Sequence, residues 1–136
     1  MAALSSPDLA VVQCHGVFDI LHYGHLMHLM QARALGDRLV VTITADEYIH
    51  KGPGRPVFPA EKRKAMLEEL RCVDEVHVIH ASGAEEAVMA VQPNIYCKGQ
   101  EYRGRLPEQT LVESLGGKVV FTIGETHSST ELVPFV

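Results

Sequence analysis

At 136 residues and 15.0 kDa, with 46% hydrophobic and 21% charged residues, the chain has material for one compact core and not for two, so a single domain over residues 1–136 is expected. No apolar run approaches the roughly 18 residues of a membrane span, and 12 Lys and Arg against 17 Asp and Glu leave a net charge of −5, which argues against a nucleic-acid backbone as the main partner. The polar start, Met1 to Asp8, lacks the basic and apolar regions of a secretory signal, so a soluble, cytoplasmic protein is expected.

Leu9 to Cys14 (LAVVQC) is an apolar run of strand length that ends in His15 and Gly16, and a helical pattern follows from about Gly24 to Leu35, closed by Gly36-Asp37. Arg38 to Thr44 (RLVVTIT) is rich in β-branched residues and apolar on both sides of the alternation, as a strand buried on both faces requires. Lys51 to Pro59 holds two Gly and three Pro and is read as loop. A helix from about Ala60 to Leu70 follows, with Met66, Leu67 and Leu70 as its apolar stripe. Then come a strand at Val76–Ile79, a helix at Ala84–Val91, a strand at Ile95–Cys97, a helix at Pro107–Leu115 ended by Gly116-Gly117, and a strand at Lys118–Ile123. A last helix starting near Ser129 would be cut off at Val136, which leaves open a domain of a longer protein or a short family member.

Five short strands separated by helices, joined by right-handed crossovers, predict a Rossmann-like, doubly wound α/β fold: a parallel five-stranded sheet with helices on both faces. In such sheets ligands lie outside the carboxyl ends of the strands, near the switch in strand order, and the motifs below fall at those ends. Cys14, Cys72 and Cys97 form no C-x-x-C pair and are read as buried small hydrophobes rather than as a disulfide or zinc framework.

His15 to His25 (HGVFDILHYGH) leaves the first strand and enters the first helix with two imidazoles three residues apart. Gly24 would permit a tight turn that sets His25 in the first turn of the helix, where free N–H groups and the positive dipole end attract phosphate. His22 and His25 can then face one anion. Fixed donors at the equatorial and leaving oxygens are what phosphoryl and nucleotidyl transfer need most. The plainer alternatives are helix-terminal histidines or a metal pair, but no third ligand stands at a local spacing and H-E-x-x-H is absent, so no metal site is assigned. His15 is read as structural. His28, beside Leu29 and Met30, is read as packing and left out of the site.

On these residues the chain resembles the cytidylyltransferase-like nucleotidyltransferases, whose hallmark is H-x-G-H after a G-x-F-D turn. Here the turn is Gly16-Val17-Phe18-Asp19 and the motif is His22-Tyr23-Gly24-His25, and the likeness continues through Ala32 to Asp37. The resemblance implies that His22 and His25 contact the triphosphate and stabilise the pentacovalent transition state, with Gly16, Val17, Phe18, Asp19 and Gly24 in the nucleotide-binding loop. The run from Lys51 into the next helix is similar to the K-G-P-x-V-F-x-x-E-x-R of ethanolamine-phosphate cytidylyltransferases, and it implies Lys51 and Arg63 as catalytic cations. Arg55 is left undecided, and Lys62 and Lys64 are read as solvated charge. Asp74, in an R-x-V-D-E run, is read chiefly as a turn residue.

Lys98-Gly99, at a strand's carboxyl end, looks like the K-G-G-D-Y of heptose-1-phosphate adenylyltransferases, with Gln100 and Glu101 replacing Gly and Asp. Thr126, Ser128, Ser129 and Thr130 match the S-T-T signature that opens the family's last helix, where hydroxyls and N–H groups hold a nucleotide phosphate. Ile123 stands where glycerol-3-phosphate cytidylyltransferases carry an arginine.

The resemblance spans about Val11 to Leu132. It implies transfer of a nucleoside monophosphate from a Mg²⁺-bound triphosphate to a phosphorylated alcohol or sugar, with release of pyrophosphate. CTP is preferred narrowly, on H-Y-G-H and K-G-P-x-x-P-V-F. The alternatives are an adenylyltransferase using ATP on a sugar 1-phosphate, favoured by G-V-F-D and K-G-x-x-Y, and a domain that binds nucleotide without turnover. A homodimer and fusion to a further domain are both compatible with this family.

Overall fold

The computed structural model describes residues 9–124. Its elements in chain order are β1 (Val11–Gly16), α1 (Tyr23–Arg33), β2 (Arg38–Thr44), α2 (Ala60–Glu68), β3 (Glu75–Ile79), α3 (Ala84–Val91), β4 (Ile95–Gly99), α4 (Gln109–Ser114) and β5 (Lys118–Thr122), with short 3₁₀ turns at Asp46–Tyr48 and Gln100–Tyr102. All five strands are parallel in the order β3-β2-β1-β4-β5. This is the expected Rossmann-like sheet, with its switch point between β1 and β4.

Alternation along the strands divides the core in two. Val12, Cys14 and Cys97 pack with Leu29 and Ala32 of α1 and Leu67 of α2 on one face. Tyr96 packs with Val88 of α3 and Val112 of α4 on the other. The helices therefore cover both faces, as consecutive right-handed crossovers on either side of β1 require.

Several expected boundaries shift for identifiable reasons. β1 runs past Cys14 because His15 and Gly16 still pair with Thr42 and Ile43 of β2. β4 likewise continues to Gly99, opposite Thr122. On α2 the expected stripe is corrected: Met66 is 61% exposed, and the residues buried are Arg63 and Leu67, one turn apart. Gly36 is required by close approach, since a Cβ there would stand 2.7 Å from the Ala10 carbonyl oxygen. Asp74 is the turn residue expected. Its carboxylate accepts from the Leu39 N–H at 2.8 Å and lies 3.2 Å from Arg33, at the end of the sheet opposite the switch-point cleft. Cys14 and Cys97 are buried and Cys72 is partly so, in line with their apolar reading. No helix among the described residues is long and apolar enough to cross a membrane.

Candidate active site

A cleft of about 320 Å³ opens at the carboxyl ends of the strands. Its floor is the loop from His15 to Asp19, and one wall is the first two turns of α1, with His22, Gly24, His25 and His28. Lys51 closes one side, and Lys98, Glu101, Tyr102 and Thr122 form the other.

The H-x-G-H spacing has a direct structural meaning. His22 is the N-cap of α1 and His25 its third residue, and they form a reciprocal capping box. The Gly24 N–H donates to His22 Nδ1 at 3.1 Å, and the His22 N–H donates to His25 Nδ1 at 3.4 Å. Because each Nδ1 accepts, the neutral rings carry their proton on Nε2. The rings stack with centroids 3.9 Å apart and planes 24° from parallel. The cap thus fixes both tautomers and both orientations, and the helix-terminal and functional readings of these histidines coincide.

The turn that aims the loop is not at Gly24, which sits inside α1 and takes no positive φ. It is at Phe18, with φ of 50°, a region costly for a bulky side chain. The Phe18 ring is buried, packs 5.2 Å from the His25 ring, and lies so close over Gly16 that a Cβ there would be 3.0 Å from it. Gly16 is bare because Phe18 occupies its space.

Asp19 and Arg63, expected at the nucleotide, are committed elsewhere. The Asp19 carboxylate accepts from Arg55 Nε at 2.8 Å, from the Val57 N–H at 2.8 Å and from the Phe58 N–H at 3.0 Å. Burial alone would raise this carboxyl, but those three bonds outweigh it and hold the group below its ordinary value. Asp19 and Arg55 together fasten the Gly/Pro loop that carries Lys51.

The Arg63 side chain is fully buried. It donates to the carbonyls of Phe58 (2.9 Å), Val17 (2.9 Å) and Thr44 (2.8 Å) and to the Asp46 carboxylate at 2.6 Å. The structure does not bring Arg63 to the cleft, because its fork is spent on backbone oxygens of the loops beneath it. Among the expected residues, Gly16, Val17, Phe18, Asp19, His22, Gly24, His25, Lys51, Lys98 and Gly99 do line the cleft. Thr126, Ser128, Ser129 and Thr130 lie outside the described residues.

Two histidines passed over on sequence grounds line the cleft, His28 in its wall and His15 at its floor. His28 Nδ1 lies 2.7 Å from the Thr122 hydroxyl, and His15 Nδ1 lies 2.9 Å from that of Thr42. The signal for His28 was its i+3 spacing from His25. Leu29 is buried and Met30 half exposed, so His28 shares the His25 face rather than theirs.

The cleft disfavours added positive charge. Burial, then the charges of His22, His28 and Lys51, push His25 down to about 4. Burial and Lys98 push His28 to about 4, and the same two causes, in that order, bring His15 to about 4. Lys51 is also lowered, by partial enclosure first and then by Arg55, against the opposing pull of Asp19. Such a field is suited to a polyanion.

A family model described as cytidylyltransferase-like matches residues 13–131. The chain belongs to the cytidylyltransferase-like family. It is similar, at 41% identity over 114 residues, to the D-beta-D-heptose 1-phosphate adenylyltransferase of Bordetella bronchiseptica, covering 81% of this chain and 70% of that one. It is 38% identical over 128 residues to the bifunctional protein HldE of Methylococcus capsulatus, covering 90% of this chain and 27% of that protein. The chain therefore spans about a quarter of the length of this family relative. The crystal structure of the lipopolysaccharide core biosynthesis protein from Thermoplasma volcanium GSS1 superposes with a TM-score of 0.74 at 32% identity, over 87% of this chain and 99% of that one. The name of the Bordetella bronchiseptica relative speaks of adenylyl transfer to heptose 1-phosphate, so within the family it sides with the alternative rather than with the preference for CTP.

Proposed function

We propose that this domain transfers an adenylyl group from ATP to a sugar 1-phosphate, releasing pyrophosphate. The observation that carries the reading is the stacked, mutually capped His22–His25 pair at the N-terminus of α1, facing a cleft flanked by Lys51 and Lys98. The Bordetella bronchiseptica relative, named as a heptose 1-phosphate adenylyltransferase, supports ATP and a sugar phosphate as substrates.

In this reading an oxygen of the acceptor phosphate attacks the α-phosphorus in line. A P–O bond forms to the sugar phosphate, the α–β bridging P–O bond breaks, and its electron pair leaves with pyrophosphate. A phosphate monoester is already ionised near neutral pH, so no protein nucleophile is required and positioning dominates. His22 and His25 offer Nε2–H donors to the triphosphate, and the first N–H groups of α1 add theirs. Lys51, held over the cleft by its fastened loop, meets charge building on the leaving group. Mg²⁺ would enter as the triphosphate's counter-ion and offset part of its charge. Arg63 acts at one remove, by holding the Val17 carbonyl and hence the loop under the phosphates.

The test is pyrophosphate release from ATP and CTP against a panel of sugar 1-phosphates, glycerol phosphate and amino-alcohol phosphates. Turnover with ATP and a sugar 1-phosphate is expected. Turnover confined to CTP, or to an alcohol phosphate, would overturn the substrate assignment.

A further inference from the structure

Behind the cleft lies a buried acid that the reaction above does not use. Glu108, just before α4, is 6% exposed, and its carboxylate accepts from the Tyr96 hydroxyl at 2.7 Å. A buried carboxylate is costly unless a cation offsets it. Tyr96 and Lys98 stand two residues apart on β4, so their side chains rise from the same face of the strand, about 7 Å apart at the base. The Glu108 carboxylate, held at the tyrosine's tip, therefore stands on the face of the sheet from which Lys98 also rises. Lys98 Nζ donates to the His15 carbonyl at 3.0 Å and sits 4.4 Å from the Tyr102 ring centroid, at the wall of the cleft.

We propose that Glu108, positioned by Tyr96, is the buried counter-charge that keeps Lys98 cationic and fixed in the cleft, where Lys98 meets the phosphate of the acceptor. The last clause rests on the function proposed above; the first does not.

The surroundings of Lys98 make such a partner necessary. The titratable and charged groups whose fields reach it are His15 and Cys14 of β1, His28 of α1, Cys97 of β4 and Glu101 of the following turn, where the Tyr102 ring also lies against it. Burial pushes its ammonium down, and the group that opposes this most is Glu108, ahead of Cys14, Glu101 and Cys97. Glu101 is exposed and screened by water, whereas Glu108 is not. Glu108 is not among the residues that line the cleft, so it is a positioning residue acting through Lys98.

The experiment is a magnetic-resonance titration of protein carrying ¹³C at lysine Cε, with the Lys98 signal identified by its loss in Lys98→Met. In the unsubstituted protein Lys98 should titrate below an ordinary lysine yet still be cationic at neutral pH. In Glu108→Gln it should fall by about one pH unit or more, and Glu108→Asp should recover most of that fall. With ATP saturating, Glu108→Gln should raise the KM for the phosphorylated acceptor more than it lowers kcat, and the alkaline limb of kcat/KM should move to lower pH. A Lys98 midpoint unchanged in Glu108→Gln, or a Lys98 already neutral at neutral pH without any substitution, overturns the pairing whatever the enzyme's substrates. The expected midpoints with no turnover on any sugar phosphate would sink the adenylyl reading and leave the pairing standing.

Discussion

Asp19 and Arg55 meet at 2.8 Å with both side chains almost wholly closed to solvent, and through this pair the loop after β1 holds the loop that carries Lys51. Three contacts converge on one carboxylate, so its removal would take away the acceptor that Arg55 Nε and two N–H groups share. Asp19→Ala is expected to cost about 3–5 kcal/mol of stability. Asp19→Asn should fold more readily yet release the 51–58 loop. Limited proteolysis within that loop, together with a raised KM for the triphosphate, would confirm it; a loop as resistant as before would count against the latch.

Arg63 separates two roles by stability. A guanidinium spent on three carbonyls and a carboxylate cannot be matched by an ammonium, so Arg63→Lys should lower the unfolding free energy by about 3 kcal/mol or more. A direct phosphate contact predicts the reverse pattern, with melting near normal and kcat reduced. Thermal melts beside steady-state kinetics decide between them.

The two histidines can be uncoupled as cap and as donor. Asparagine is a good N-cap but has no donor at the height of Nε2. His22→Asn should therefore melt within a few degrees of the unsubstituted protein while turnover falls by roughly 10²-fold or more. His25→Ala should lose as much turnover and also about 1 kcal/mol of helix capping. Near-normal turnover in either variant would remove that ring from the reaction.

The depressed histidines set a direction for pH. His15, His25 and His28 titrate near 4 in the fold against an ordinary value of 6.5, so between those limits the unfolded chain binds more protons than the folded one. The stability from keeping these rings neutral is present above about pH 6.5 and is lost as pH falls toward 4. Denaturant midpoints should drop across that window, and His28→Gln should flatten the drop. A triphosphate's charge works the other way on His25, so binding near pH 6 should take up protons. Calorimetry in buffers of different ionisation heat would read this as a slope, and a flat line would oppose it.

The alternation of strands and helices and the βα loop were legible from residue pattern because the central strands β1 and β2 bury both faces and α1 closes on a recognisable stop at Gly36, whereas the spatial order of the strands was not. The H-x-G-H spacing could be read because a capping box is a local device, whose partners stand three residues apart. Long-range pairing was not legible. Arg63 looked like a phosphate cation because its motif is local, while the carbonyls of Val17 and Thr44 that absorb it come from elsewhere in the chain.

The sequence by itself determined the sheet, the family and the paired imidazoles, since these follow from periodicity and short-range spacing. Only the tertiary structure decided that Asp19 latches a loop, that Arg63 is a buried brace, that His28 faces the cleft, and that a buried Glu108 accepts from the Tyr96 hydroxyl. Each depends on which polar groups share a dry interior, where an unmatched charge is costly, and that sharing exists only once distant segments have packed.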